Sequence, residues 1–322
     1  MLELRRDENT LKLLLRLALL LTAPPLLWAG NAVVGRLLVG QVPPLTLNFL
    51  RWLITILLLL PWAWRALWPL SRITQRWPYL LMLGVLGAGA YNSLQYLALV
   101  SSSPLNVTLV ASSMPVWMLA VGALCFGQRP GPAQWLGAAV GLLGVAVVIS
   151  RGSVDTLMRV QWVVGDVYVL FAAIGWAFYS WLLVRPPAHM QGDQRPSARE
   201  GWDWAGFLLI QALFGLLAAG TLTAGEQALG AAPIRWSWGV AAALLYVSLG
   251  SSIAAYRCWG LGVAEGGPAL AAFFANLTPL FAAVLTSMLL GESPQLYHAL
   301  AFVLIVAGIS IGMVHQAPPR ST

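Results

Sequence analysis

Tyr91, Asn92, Gln95 and Tyr96 place four hydrogen-bonding side chains within six positions of an otherwise apolar stretch. At about 100° per helical residue, Tyr91 and Gln95 share one face and Asn92 and Tyr96 the next. That half of the helix must look into protein, because lipid gives such groups no partner. Asn106, Ser113 and Trp117 share a face at spacings of seven and four. Trp28, Asn31, Trp176 and Tyr179 sit deep in two further apolar stretches, and a deep indole must place its N–H on a partner. Asn276 and Tyr256 complete the set. Hydroxyls, amides and aromatic faces of this kind hold a small molecule rather than transform it.

Two cations fall inside apolar stretches, Arg51 and Arg257. Both are near enough to an end for the charge to snorkel out. Arg257, beside Tyr256, is also placed to meet a substrate carboxylate. None of the 11 acidic residues lies in mid-stretch. Asp166 is near the outer end of its stretch, Glu265 in an inner loop and Glu292 at an outer corner. Ion-coupled carriers commonly use an intramembrane carboxylate, so facilitated movement down a gradient is expected. Proton coupling through Asp166 is the alternative. His189 is in a loop, and His298 and His315 are near stretch ends. Cys125 and Cys258 lack metal-ligand spacing. Hence no catalytic set, metal, cofactor or disulfide is expected. A channel would need a charge ring or a carbonyl filter, and neither is visible.

The elements that position these residues follow from composition. The chain of 322 residues is 59% hydrophobic and only 9% charged, against about 25% charged in soluble domains. An all-α integral membrane protein in a lipid bilayer is expected. The net charge of +7 is spread over short loops, which argues against a nucleic-acid partner. Ten apolar stretches are expected to cross the membrane, at 13–37, 44–64, 78–100, 105–126, 132–150, 163–184, 204–222, 237–261, 268–290 and 294–314. The first lacks a convincing cleavage site and is expected to be retained. Two connections are longer, 151–162 and 186–203, and the second is polar and expected to be mobile. With the N-terminus inside, inner segments carry 12 of the Lys and Arg residues and outer segments 4, with Arg51 and Arg257 left within spans. This places both termini in the cytoplasm of a cell-membrane protein.

The chain also repeats itself. Pro104, Pro115, Gly127, Pro130 and Gly144 recur at an offset of 164 residues as Pro268, Pro279, Gly291, Pro294 and Gly308. Two five-helix repeats are expected, 1–150 and 151–322. Five being odd, the copies would be inverted, with a site between them. Pro115 and Pro279 kink the fourth and ninth spans, and each frees a backbone carbonyl toward a midplane cavity. Gly137 with Gly141, and Gly308 with Gly312, allow close helix approach, within one chain or in a homodimer.

The Trp-Ala pairs Trp28-Ala29 and Trp176-Ala177, the mid-span prolines and the Gly-terminated spans resemble the drug/metabolite transporter superfamily. Within it, the chain is similar to the EamA-type branch and to its YddG-like aromatic amino-acid exporters. Gly127-Gln128-Arg129 departs from the Gly-Glu-Arg common in that branch, and Gly291-Glu292 keeps the acid. The resemblance implies export of small hydrophobic or aromatic metabolites, amino acids first, by alternating access, with the hairpins around Ser101–Pro104 and Glu265–Pro268 moving as gates; a proton-coupled exporter of drugs or other metabolites is the alternative.

Overall fold

The structure, a computed structural model, describes residues 2–102, 104–290 and 295–313, and their side chains except 2–11, 36, 99, 100, 104–106, 286, 287, 289 and 290. Helix α1 spans Leu2–Leu37 and α2 spans Pro44–Ala63, opening on a proline whose missing N–H costs nothing at a helix start. Helices α3 (Trp77–Leu83) and α4 (Tyr91–Ser101) are joined by a π-helical segment, Gly84–Ala90. Helices α5 (Pro104–Ala111) and α6 (Met114–Cys125) are separated by a turn at Ser112 and Ser113. Then come α7 (Pro132–Ile149), α8 (Val164–Val184) and α9 (Trp204–Ala228). Helix α10 (Trp238–Ser248) leads through a second π-helical segment, Leu249–Ala254, into α11 (Ala255–Ala275). Helices α12 (Leu277–Leu290) and α13 (Leu296–Met313) follow.

Eight helical stretches among the described residues are long and apolar enough to cross a membrane. One of them, Trp238–Ala275, has 38 residues. At about 1.5 Å per residue it would be nearly twice as long as a hydrocarbon core of roughly 30 Å. Gly267, at φ +80°, interrupts it just before Pro268. Conversely, α4 alone has 11 residues and needs the π-helical segment and α3 to reach across.

The two mid-span prolines follow helix breaks rather than kinking continuous helices. In the fourth stretch the helix breaks outright, and Pro115 becomes the second residue of α6. In the ninth, Asn276 is the break and Pro279 the third residue of α12. The two breaks coincide when the chain is shifted by 164 residues, and the two π-helical segments overlap under the same shift.

Helix pairing follows one scheme. Helix α7 lies along α13 and α2 along α9. Helix α1 packs on α11 and α12, while α8 packs on α4 and α6. Exchanging each stretch for its sequence counterpart maps this set of pairs onto itself. A Cβ on Gly137 would stand 2.6 Å from the Gly308 carbonyl oxygen, and one on Gly308 2.7 Å from that of Gly137. The glycine rows are therefore spent inside the chain, and a homodimer has no support left from them.

Two expectations change. Residues 186–203 are fastened down: Arg76 donates to the His189 and Gln194 carbonyls at 3.2 and 2.8 Å, and Arg72 pairs with Glu200 at 2.5 Å. Met190 and Trp202 are buried there, and Gly201, at φ +85°, fits against the Ala66 backbone. Arg51 does not snorkel; it is 1% exposed. The end-of-span indoles Trp62, Trp64, Trp68, Trp77, Trp236 and Trp238 are exposed, as interface anchors should be.

Candidate functional site

Seven aromatic rings from five helices meet at the centre. Trp176 of α8 is the hub: its ring centroid lies 5.3 Å from Trp28, 4.9 Å from Tyr91, 4.9 Å from Tyr179, 5.5 Å from Tyr256 and 5.5 Å from Trp259. Trp52 of α2 joins through Tyr256 at 5.2 Å. Edge-on and tilted pairs of this kind add about 0.5–1.5 kcal/mol each beyond their burial. Of the residues expected from sequence, Trp28, Tyr91, Trp176, Tyr179 and Tyr256 are in this cluster. Gln95 is attached to it, donating to the Tyr91 hydroxyl at 3.2 Å.

Polar groups behind the rings come from the π-helical segments. Wider coiling there releases carbonyls from the regular ladder. The Gly87 carbonyl accepts from the Tyr256 hydroxyl, and those of Ala88 and Gly89 accept from Asn48 Nδ2 at 3.3 Å. On the other side, the Ser251 carbonyl accepts from Trp28 Nε1 at 3.2 Å and Arg51 Nη2 at 2.9 Å. Arg51 Nε donates to Ser252 Oγ at 2.6 Å. Helix α2 thus reaches both segments with two residues one turn apart, Asn48 and Arg51.

Several buried polar atoms on α1, α2 and α8 have no hydrogen-bond partner. They include Arg51 Nη1, Trp52 Nε1, Trp176 Nε1, Asn48 Oδ1 and Asn31 Oδ1. The expectation that a deep indole finds a partner holds for Trp28. It also holds for Trp117, which donates to Ser113 Oγ at 3.0 Å. It fails for Trp176.

Other expected residues lie apart from the ring cluster. Ser113 and Trp117 form their own pair at the α5–α6 break. Asn276 is 2% exposed, with neither amide atom partnered, and its Nδ2 would be 3.1 Å from a Cβ on Gly141. Tyr96 packs beside the apolar group of Leu38, Leu47 and Leu244, its hydroxyl unpartnered but within electrostatic range of Tyr256. The side chain of Asn106 lies outside the described residues. Sequence reasoning missed Trp52 and Trp259. Trp259 follows Tyr256 by one turn, and Ser252 precedes it by one; that stripe was the available signal.

A cavity of about 820 Å³ leads to the cluster, with Tyr179 and Tyr256 at its floor. Leu183, Trp204 and Arg257 form its walls and residues 192–203 its rim. Arg257 lies over the Trp204 ring, 4.9 Å from its centroid. At the rim, the Ser197 backbone N–H and hydroxyl bond Glu200 at 2.7 and 3.0 Å, with Arg72 and Arg76 nearby. Together they hold its carboxyl below the usual carboxylate range. At two further junctions, Ser102 donates to Asp166, at the start of α8, and Arg16 pairs with Glu265 at 2.6 Å.

A multi-helix membrane protein with a buried aromatic centre and a vestibule leading to it has the build of a transporter. The sequence profile of the EamA-like transporter family matches residues 15–150 and 163–313, and the chain belongs to that family. It is 24% identical to an uncharacterized transporter of Archaeoglobus fulgidus, over 92% of this chain and 97% of that one. It is 27% identical to the uncharacterized inner membrane transporter YedA of Escherichia coli, over 88% and 86%. It is 25% identical to a probable amino-acid metabolite efflux pump of Salmonella typhimurium, over 89% and 91%. A solved crystal structure shares the fold with a TM-score of 0.72 at 23% identity, covering 92% of this chain and 97% of that one.

Proposed function

We propose that this protein exports small molecules with an apolar or aromatic body, most simply amino acids, by alternating access. The observation that carries this is the central cluster of seven rings, two of which, Tyr179 and Tyr256, form the floor of the vestibule. Aromatic faces bind apolar bodies by area, and the unpartnered donors at their edge supply orientation. The Salmonella relative's name points the same way.

The reading takes the chain as ten spans in two inverted repeats, 1–150 and 151–322. Support comes from the matching breaks, the matching π-helical segments and the self-consistent helix pairs. In that arrangement, the Ser102–Asp166 and Arg16–Glu265 contacts are latches at opposite faces. Each joins the end of a third-type span to the beginning of a first-type span. Breaking one while keeping the other opens one face at a time. Both termini lie in the cytoplasm, and the cell membrane is the site of action.

Efflux is facilitated in this reading. The acid nearest to the centre in sequence terms, Asp166, is engaged by Ser102 and by the Val163 N–H, and it serves as a latch rather than a proton carrier. A pH gradient that drives uphill accumulation in vesicles, and fails to do so in Asp166→Asn, would reverse this point.

The test of the substrate class is flux of an amino-acid panel from proteoliposomes, repeated with Trp176→Ala. Saturable flux of aromatic and large aliphatic amino acids, lost in the variant, is expected. Absence of flux for every amino acid would remove the substrate class and leave the family intact.

A further inference from the structure

Arg51 carries a full charge in the buried interior, and among the described residues it forms no ion pair. A guanidinium stays protonated in proteins. It is 1% exposed and makes two hydrogen bonds, both to neutral oxygens of Ser251 and Ser252. Among the described residues, the recorded ion pairs of acids lie elsewhere: Glu265 with Arg16, Glu200 with Arg72 and Asp155 with Arg159. Glu226 accepts from the Leu45 and Thr46 backbone. A buried charge without a counter-charge is costly. It is costlier still in a membrane protein.

The unused donor has company. Arg51 Nη1 has no partner, and neither do Trp52 Nε1 and Trp176 Nε1, on residues 0% and 1% exposed. The guanidinium carbon lies 5.6 Å from the Trp52 ring centroid. The Trp52 and Trp176 rings flank Tyr256 at 5.2 and 5.5 Å. Tyr256 is itself the floor of the vestibule. Two orphaned indoles therefore stand one aromatic layer from the open cavity, and the cationic donor lies against one of them, Trp52. Guanidinium and indole N–H groups are donors only, so their common complement is an anion.

We propose that Arg51, assisted by the Trp52 and Trp176 indole N–H groups, is the anchor for the carboxylate of the transported molecule. The substrate is then an organic anion or zwitterion whose apolar body lies among the rings. Arg257, over Trp204 at the vestibule wall, gathers anions on the way in. The proposal deepens the transporter reading above and rests on it for the word substrate, but binding alone can test it.

The experiment uses the full-length protein in detergent and three ligands with one body: phenylacetate, phenylacetamide and phenethylamine. Binding is read from intrinsic tryptophan fluorescence in a fixed buffer. Phenylacetate should bind at least about tenfold more tightly than the amide, the step expected when a charge-assisted pair is lost. Arg51→Gln should erase that preference and Arg51→Lys restore part of it. Trp52→Phe, which keeps an aromatic ring without the N–H, should weaken phenylacetate alone. A purely structural role predicts equal loss for all three ligands in Arg51→Gln, and that result overturns the proposal. If Arg51→Gln does not fold, the wild-type comparison decides: amide binding as tight as carboxylate binding, or no phenylacetate binding, overturns it. Amino-acid flux without a carboxylate preference would refute this inference alone; carboxylate binding without amino-acid flux would refute the substrate class alone.

Discussion

Trp176 and Trp259 are neighbouring, fully buried indoles on which one substitution should have opposite effects. Trp259 Nε1 donates to Ser180 Oγ at 3.2 Å, whereas Trp176 Nε1 has no partner. Replacing either by Phe leaves a space of a few tens of Å³, costing about 1 kcal/mol at about 24 cal/mol per Å³. Trp259→Phe also loses a hydrogen bond worth about 1 kcal/mol, for a total near 2 kcal/mol. Trp176→Phe instead removes a buried, unsatisfied donor, which returns about 1–3 kcal/mol and cancels the cavity cost or exceeds it. The two variants should therefore differ by at least about 2 kcal/mol, or roughly 4 °C in calorimetric unfolding in one detergent. Transport should show the reverse order, with Trp176→Phe losing more flux than its stability suggests. Equal destabilisation of the two variants would mean that the Trp176 N–H is satisfied, and the argument that it awaits a ligand would fail.

Other predictions concern the frame around the site. Gly137→Leu must push against the Gly308 carbonyl and should cost about 1–3 kcal/mol, whereas the same change at exposed Gly225, where a Cβ meets nothing within 4 Å, should disturb no helix contact; unfolding of the two variants checks this. Glu200 is held below its ordinary value of 4.5, so its contribution to the 186–203 clamp is full above that pH and vanishes as pH falls through the lowered value. A spin label at Asp193 should gain mobility as pH falls below the usual carboxylate range and through that lowered value. Label motion that is unchanged there, or that rises at neutral pH, would contradict the clamp.

Backbone shape was more legible in the sequence than the site was. Pro104, Pro115, Gly144 and their counterparts constrain φ, donors and helix approach directly, so their offset transmits the repeat. The π-helical segments were not legible, because Gly84, Gly87 and Gly89 read equally well as packing residues. They are in fact packing residues too: a Cβ on Gly84 would stand 2.6 Å from the Gln211 carbonyl. Arg51 was misplaced because depth along a span says nothing about which side of the helix faces protein. Its neighbours at helical spacing, Asn48 and Thr55, are both buried, and that stripe marks the inward face. Asn276 and Trp117 have the polarity of a site; Asn276 sits at a helix break, and Trp117 is bonded to Ser113 at the other break.

The central claim is that one binding centre opens alternately to either side. Counterflow tests it most directly. Proteoliposomes are preloaded with unlabelled phenylalanine, and entry of labelled phenylalanine at low outside concentration is followed over time. The account predicts a transient accumulation above equilibrium that saturates with concentration and disappears in Trp176→Ala. Entry that rises linearly with concentration and ignores the internal load would contradict a carrier.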